Sequence, residues 1–304
     1  MREIALRLIN PISCKSYWAL CKPKVVALIV FTAVVGMLLA SPDGIPWNAL
    51  VFGTLGIGLG AASGAAMNHW VDHRIDGVME RTNNRPLPQG DLPTYAALIF
   101  ALILATLSSW ILIAFVNNIT ALLTFCSLIG YAVIYTMYLK RATPMNIVLG
   151  GAAGAAPPLL GWAAVTGDVP PEALLLFLII FIWTPPHFCA LAIKRREEYR
   201  KAGIPMLPVT HGVAFTKRQI LLYTILLVAI SVLPFFIQMS GLIYLSGALA
   251  LGIGFLHYAI KLYRTDSDEL AMKTFGYSIF YLSLLFTFLL VDHYVRLFIR
   301  SFVM

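Results

Sequence analysis

The stretch LIFALILATLSSWILIAF, residues 98–115, decides the fold. It runs for 18 residues without Asp, Glu, Lys or Arg, and its apolar residues do not alternate with polar ones as they would in a strand of a transmembrane barrel. About 20 apolar residues in helical conformation cross the hydrocarbon core of a bilayer. The stretch therefore predicts a membrane-spanning helix.

The rest of the chain repeats this pattern. Of 304 residues, 60% are apolar and 12% are charged, which is about half the charge of an ordinary soluble domain and excludes a soluble protein. We expect an all-α polytopic membrane protein, a single integral-membrane domain over residues 1–304. Its nine transmembrane helices are predicted at 25–42, 47–67, 94–116, 118–139, 145–166, 173–193, 219–239, 241–260 and 274–291.

The placement of basic residues predicts the orientation. When the N-terminus and every second connection are assigned to one side, that side holds 20 of the 22 Lys and Arg residues. Cytoplasmic loops carry this excess. We therefore expect a bacterial cytoplasmic (inner) membrane protein with a cytoplasmic N-terminal segment, residues 1–23, and an external C-terminus. The net charge of +8 is scattered between apolar segments, which favours the lipid bilayer over nucleic acid as a partner.

Two connections on the basic side are unusually long. Residues 68–93 and 194–218 each run to about 25 residues, whereas the connections on the other side are short. Long connections in compact proteins are usually functional. These two are the predicted cytoplasmic active-site loops.

Three oxygen-bearing side chains recur at the end of the second predicted helix. Asn68, Asp72 and Asp76 are spaced four residues apart, which stacks them on one helix face. Two like charges at this spacing repel each other, so such a row is expected where a cation binds. Because Mg²⁺ takes one or two carboxylates and completes its shell with phosphate oxygens, these residues are the predicted catalytic and metal-binding set.

Arg81 and Arg85 follow directly, again four residues apart. A guanidinium offers a fork of donors that matches phosphate oxygens. Two arginines close to a carboxylate-bound metal predict a receptor for a polyphosphate substrate. Solvated acids and arginines that merely pair with one another are the alternative.

These motifs together resemble a known family. Asn68, Asp72 and Asp76 followed by Arg85-Pro86-Leu87 are similar to the first aspartate-rich motif of the UbiA superfamily of intramembrane prenyltransferases, which implies a nine-helix fold. The stretches YTMYLKRATPMN at 135–146, GAAPPLLGW at 154–162 and WTPPHF at 183–188 resemble its haem-farnesylating branch. The resemblance extends from Lys22-Pro23 to residues 205–208.

The resemblance implies a reaction and its partners. The farnesyl group of farnesyl diphosphate would be transferred to a vinyl group of haem B, with addition of water, to give haem O for terminal oxidase biogenesis. It also implies Mg²⁺ dependence, with haem B as substrate rather than cofactor. Haem A synthase and the terminal oxidase assembly are candidate protein partners.

One stretch departs from the superfamily pattern. Members that act on quinone precursors carry a second aspartate pair after helix six, whereas this chain has KRREEYR at 194–200. Direct contact of Lys194 or Arg195 with diphosphate is the expected substitute, and Glu197 or Glu198 remains an alternative metal ligand. The full set of candidate substrate-binding residues is Arg81, Arg85, Lys140, Arg141, Asn146, His187, Lys194, Arg195 and Tyr199.

The histidines divide by position. His187 follows a Pro-Pro pair near the cytoplasmic end of the sixth predicted helix, which makes it a candidate for binding haem or another substrate group. His69 and His73 flank the aspartates but lie off their helix face, so we expect both at the surface.

Two other functions fit parts of the pattern. A UbiA-type prenyltransferase acting on an aromatic or quinone precursor would share the first motif. A secondary transporter would also place ionisable groups between helices, although nearer mid-membrane.

Overall fold

The computed structural model describes residues 11–42 and 44–303, and within these ranges every regular element is a helix. The first ten residues of the predicted cytoplasmic segment 1–23 lie outside the described residues. The helices are α1 Pro11–Leu20, α2 Pro23–Leu39, α3 Ala49–Asp76, α4 Thr94–Phe115, α5 Asn118–Ala142, α6 Asn146–Thr166, α7 Pro171–Lys194, α8 Arg196–Lys201, α9 Leu207–Thr210, α10 Gly212–Phe236, α11 Leu242–Arg264 and α12 Asp268–Val303.

The predicted nine-helix membrane fold is confirmed. In the described ranges, eight helices are long and apolar enough to cross a bilayer, and the pair α1 and α2, bent by 51° at its break, supplies a ninth. Pro23 stands at the first turn of α2, where its missing N–H removes no helical hydrogen bond. The helix that corresponds to the first predicted span, 25–42, therefore begins two residues earlier, at Pro23, and ends at Leu39.

Helix α3 extends further than its apolar run predicts. It ends at Asp76 instead of residue 67, so the first nine residues of the predicted loop 68–93 are helical. The polar residues continue the helix beyond the apolar segment. This extension places Asn68, Asp72 and Asp76 on a regular helical face.

Glycines let α3 pack closely against α4 and α5. A Cβ on Gly56 would lie 2.5 Å from the Leu112 side chain, and one on Gly60 would lie 2.9 Å from Thr124. These contacts account for glycine at both positions. In α6, Gly150 has such a neighbour but Gly154 has nothing within 4 Å, so packing does not explain that second glycine.

Helices α2 and α6 approach to backbone contact. A Cβ on Gly161 would lie 1.9 Å from the Ala33 carbonyl oxygen, and one on Gly36 would lie 2.1 Å from the Pro158 carbonyl oxygen. Only glycine, which has no Cβ, allows the two helix backbones to come this close. The largest apolar core lies between α7, α10, α11 and α12 and includes the fully buried Tyr244 and Tyr281.

Candidate active site

The last turns of α3 carry the centre of the site. Asn68, Asp72 and Asp76 are all buried, and Asp72 is only 1% exposed. The Asn68 Nδ2 donates to Asp72 Oδ2 at 2.7 Å. The predicted row is therefore a packed, hydrogen-bonded face at the end of a membrane helix.

Each carboxylate of the row has a basic partner. The Lys140 ammonium, at the end of α5, donates to Asp72 Oδ2, and Arg85 Nη1 donates to Asp76 Oδ2 at 2.6 Å. Both cations belong to the predicted substrate-binding set, and the structure brings them to the acids. Buried charges need such partners because water no longer solvates them.

Sequence reasoning missed a third cation, Lys22. Its ammonium donates to Asn68 Oδ1, and its backbone takes the left-handed conformation with φ 49° at the break between α1 and α2. Residues other than glycine rarely adopt this backbone conformation. The signal in the sequence is a lysine directly before Pro23, which begins a helix.

A π-helical segment, Gly130–Leu139, leads to Lys140. It carries Tyr131 and Tyr135, whose rings stack with centroids 5.6 Å apart. Tyr131 packs against α3 one turn before Asn68, because a Cβ on Gly64 would lie 3.3 Å from its ring. Gly150 makes room for Tyr135, because a Cβ there would lie 2.1 Å from the ring. π-Helical turns are frequent at functional sites.

Glu198 joins the two long cytoplasmic connections. Its carboxylate accepts from Arg195 Nη1 at 2.5 Å and from the Arg81 backbone N–H at 3.3 Å. Tyr199 is buried beside it; burial raises the pKa of Tyr199, and the Arg81 charge opposes that rise. The stretch KRREEYR thus contributes a bridge between loops.

The remaining candidate substrate-binding residues differ in how deeply they are buried. Asn146 is fully buried at the start of α6, and its Oδ1 has no hydrogen-bond partner. Arg141 and Lys194 are exposed at the rim. The structure thus brings Asn146 into the protein interior, whereas it leaves these two cations in solvent.

His187 occupies a different environment, on the α12 side of α7. Its ring stacks on Trp183 with centroids 4.2 Å apart and on Phe275 at 4.5 Å. Its Nδ1 lies 2.6 Å from Ser278 Oγ. The structure shows no direct contact between His187 and the acidic row.

The expected surface position of His69 is wrong. Its ring is buried, and neither nitrogen has a hydrogen-bond partner. Its helix face is covered by neighbouring elements, which spacing within one helix does not reveal. His73 is half-buried, and its Nδ1 lies 2.7 Å from the Trp70 carbonyl oxygen.

The acidic row fits a hard divalent cation. Asp72 Oδ1 is buried without a hydrogen-bond partner, although Oδ2 of the same carboxylate receives two donors. A buried anionic oxygen without a donor is costly unless a cation takes it. No group of three or more His, Cys, Asp or Glu side chains that could hold a metal ion occurs within residues 11–42 and 44–303.

The fold and this site define an intramembrane prenyltransferase. Residues 29–285 match the UbiA prenyltransferase family, and the chain belongs to that family. A solved structure concerning digeranylgeranylglyceryl phosphate synthase has TM-score 0.77 at 21% identity, covering 92% of this chain and 98% of its own. A UbiA homologue from Archaeoglobus fulgidus bound to DMAPP and Mg²⁺ has TM-score 0.65 at 18% identity, covering 90% of this chain and 99% of its own.

The sequence relatives narrow the class. The chain is 64% identical to the protoheme IX farnesyltransferase of Thioalkalivibrio sulfidiphilus, covering 94% of each chain. It is 62% identical to that of Nitrosococcus oceani, covering 94% of this chain and 95% of the relative. The predicted resemblance to the haem-farnesylating branch is confirmed, and the transporter alternative is wrong.

Proposed function

We propose that the chain transfers the farnesyl group of farnesyl diphosphate to a vinyl group of haem B and adds water, giving haem O. The observation that carries this proposal is the buried row of Asn68, Asp72 and Asp76 beside arginine and lysine side chains, at the end of a membrane helix. The names of the relatives support the farnesyl donor and the haem acceptor.

The basic side chains next to the acidic row bind the diphosphate. Lys22, Arg85 and Lys140 surround the acidic row and supply donors to phosphate oxygens as negative charge develops on the leaving group. Arg81 and Arg195 approach from the two loops on either side of Glu198. Arg141 and Lys194 attract the diphosphate from the rim, while Asn146 and Tyr199 offer buried polar groups to the bound substrate.

The reaction needs no nucleophile from the protein. The bond between the farnesyl C1 and the diphosphate oxygen breaks, and its electron pair leaves with the diphosphate. The vinyl π pair then attacks the allylic cation, and water adds to the new cation beside the porphyrin ring and loses a proton. Tyr131 and Tyr135 provide aromatic faces that stabilise a cation near the site.

Asn68, Asp72 and Asp76 would hold Mg²⁺, and Asp72 Oδ1, which is buried without a hydrogen-bond partner, would be a ligand. When bound, Mg²⁺ neutralises charge on the diphosphate and so stabilises the leaving group. Glu198 is engaged by Arg195 and Arg81, so a second metal site on the α8 stretch has no support here.

The reaction takes place at the cytoplasmic face of the bacterial inner membrane. The farnesyl chain partitions into lipid, whereas its diphosphate stays at the charged end of the helices. The N-terminus is cytoplasmic and the C-terminus external, as the placement of 20 of 22 basic residues predicts. The connections 68–93 and 194–218 act as active-site loops. Haem A synthase or the terminal oxidase assembly takes the product.

Three parallel incubations test the proposal. Purified protein in nanodiscs receives haem B, farnesyl diphosphate and Mg²⁺, and mass spectrometry of the extracted porphyrin detects hydroxyethylfarnesyl haem. A parallel incubation replaces haem with 4-hydroxybenzoate, and a third contains EDTA, reversed by excess Mg²⁺. If product formed from 4-hydroxybenzoate but not from haem B, the quinone-precursor alternative would be favoured. Full turnover in EDTA would show that the reaction does not require the metal.

A further inference from the structure

The aromatic cluster on α7 and α12 contains a histidine held in a fixed orientation. Trp183 and Phe275 stack on the His187 ring at interplanar angles of 19° and 25°, and Phe188 meets it edge-on with centroids 5.1 Å apart. Two stacked neighbours prevent the ring from tilting. This rigidity exceeds what a space-filling residue needs.

A serine fixes the protonation of this ring. Ser278 Oγ donates to the Phe275 carbonyl oxygen at 2.6 Å, so its single proton is already used. With that proton on the Phe275 carbonyl, the contact between His187 Nδ1 and Ser278 Oγ at 2.6 Å is donated by Nδ1–H. A neutral imidazole with a proton on Nδ1 carries its lone pair on Nε2.

That lone pair has no partner in the protein. Among the described residues, no hydrogen bond is made to His187 Nε2, although the side chain is only 8% exposed. Histidine ligands of metals almost always donate their other ring N–H to a protein group, which sets the tautomer and the ring orientation. Ser278 supplies that arrangement.

The position of His187 suits a porphyrin substrate. Ala192, five residues further along α7, packs in the cluster that contains Met79 and Tyr199 beneath the two loops. Five helical residues rise about 7.5 Å. A macrocycle bound at His187 would have to extend towards this end of α7 for its vinyl group to reach the acidic row.

We propose that His187 is the axial ligand that binds haem B through its iron, with Ser278 as the positioning residue. The inference rests on the proposed function for the choice of substrate. Nε2 donates its lone pair to the iron, and no bond in the protein breaks. Iron ligation then holds the porphyrin while the vinyl group, which is not attached to the iron, reacts.

Spectroscopy of the haem complex tests this proposal without turnover. Protein in nanodiscs is titrated with ferric haem B, and absorption and electron paramagnetic resonance spectra are recorded for wild type, His187→Gln and His187→Ala. We expect an imidazole-ligated spectrum for wild type only, at least tenfold weaker haem binding in both variants, and recovery of the spectrum in His187→Ala with added imidazole. His187→Gln keeps a polar partner for Ser278 and guards against misfolding.

Two further variants sharpen the result. Ser278→Ala should retain ligation but weaken haem binding about 10- to 100-fold, the usual effect of losing a group that orients a metal ligand. His257→Ala, an exposed histidine on α11, should match wild type. An unchanged wild-type spectrum in both His187 variants would overturn the proposal even if haem O forms. Ligation by His187 without haem O would instead count against the proposed function alone.

Discussion

Asp72 is the residue on which the site depends most. It accepts from Asn68 and Lys140 through one oxygen and keeps the other free. Asp72→Asn removes the charge that balances Lys140 and a ligand for Mg²⁺. We expect farnesyl transfer to haem to fall about 100-fold or more, the order seen when a group stabilising developing charge is lost. Mass spectrometry of haem from purified variants measures this.

A folding defect has to be separated from this loss, because an unpaired buried cation destabilises a protein by roughly 3–5 kcal/mol. The double variant Asp72→Asn with Lys140→Met removes that unpaired charge. Its amount in the membrane should recover while turnover stays absent. Recovered turnover would argue against a catalytic role for Asp72.

Arg85 offers a test of diphosphate binding. Arg85→Ala should raise the KM for farnesyl diphosphate about 10- to 100-fold, which corresponds to the roughly 1.5–3 kcal/mol of a hydrogen bond to a charged group. Arg74→Ala, an exposed arginine on the same stretch of α3, is the matched control. Steady-state kinetics compare the two. Equal KM values would place Arg85 outside the site.

At the scale of single residues, the sequence predicted the relations between side chains within one helix. The row of Asn68, Asp72 and Asp76 follows from a spacing of four within one helix. Two partners of that row, Lys22 and Lys140, come from 46 and 68 residues away, and the contact between Arg81 and Glu198 spans 117 residues. No local pattern encodes these pairs, and the same gap explains the wrong surface assignment of His69.

The helices were predictable where apolar composition defines them and less so at their ends. α3 continues past its apolar run because polar residues at the membrane boundary also form helix. The π-helical segment Gly130–Leu139 has no recognised sequence signal, so its presence next to Lys140 is known only from the structure.

The contact between α2 and α6 gives a prediction for packing. Gly161→Ala would place a Cβ 1.9 Å from the Ala33 carbonyl oxygen, which belongs to the backbone and cannot rotate away. Overpacking of this kind costs about 1–3 kcal/mol, so the thermal unfolding temperature in detergent should fall.

The control lies on the same helix. Gly154→Ala meets nothing within 4 Å, so it should leave the unfolding temperature unchanged or raise it, because alanine is better than glycine in a helix by roughly 0.5–1 kcal/mol. If both variants behave alike, close approach is not what keeps glycine at position 161.

For the whole molecule, the open question is the course of the first span. If the bent pair α1 and α2 crosses the membrane as one span, the proposed orientation predicts that Cys14 lies on the cytoplasmic side. A variant with Cys14 as its only cysteine should resist a membrane-impermeant maleimide in intact spheroplasts and react after permeabilisation. Asp168→Cys, introduced into the same background at an exposed position on the opposite side, should react without permeabilisation. Labelling of Cys14 in intact spheroplasts would mean that the pair enters and leaves on one side.

The pairing of each carboxylate with a cation has a thermodynamic consequence for the proposed reaction. Lys140 and Arg85 are held by Asp72 and Asp76, so a diphosphate arriving alone competes with those carboxylates for its own ligands. If the acids held a divalent ion, Lys140 and Arg85 would be released to the phosphate oxygens. Binding of metal and of diphosphate would then be positively linked, and by reciprocity each would raise the affinity of the other by the same factor.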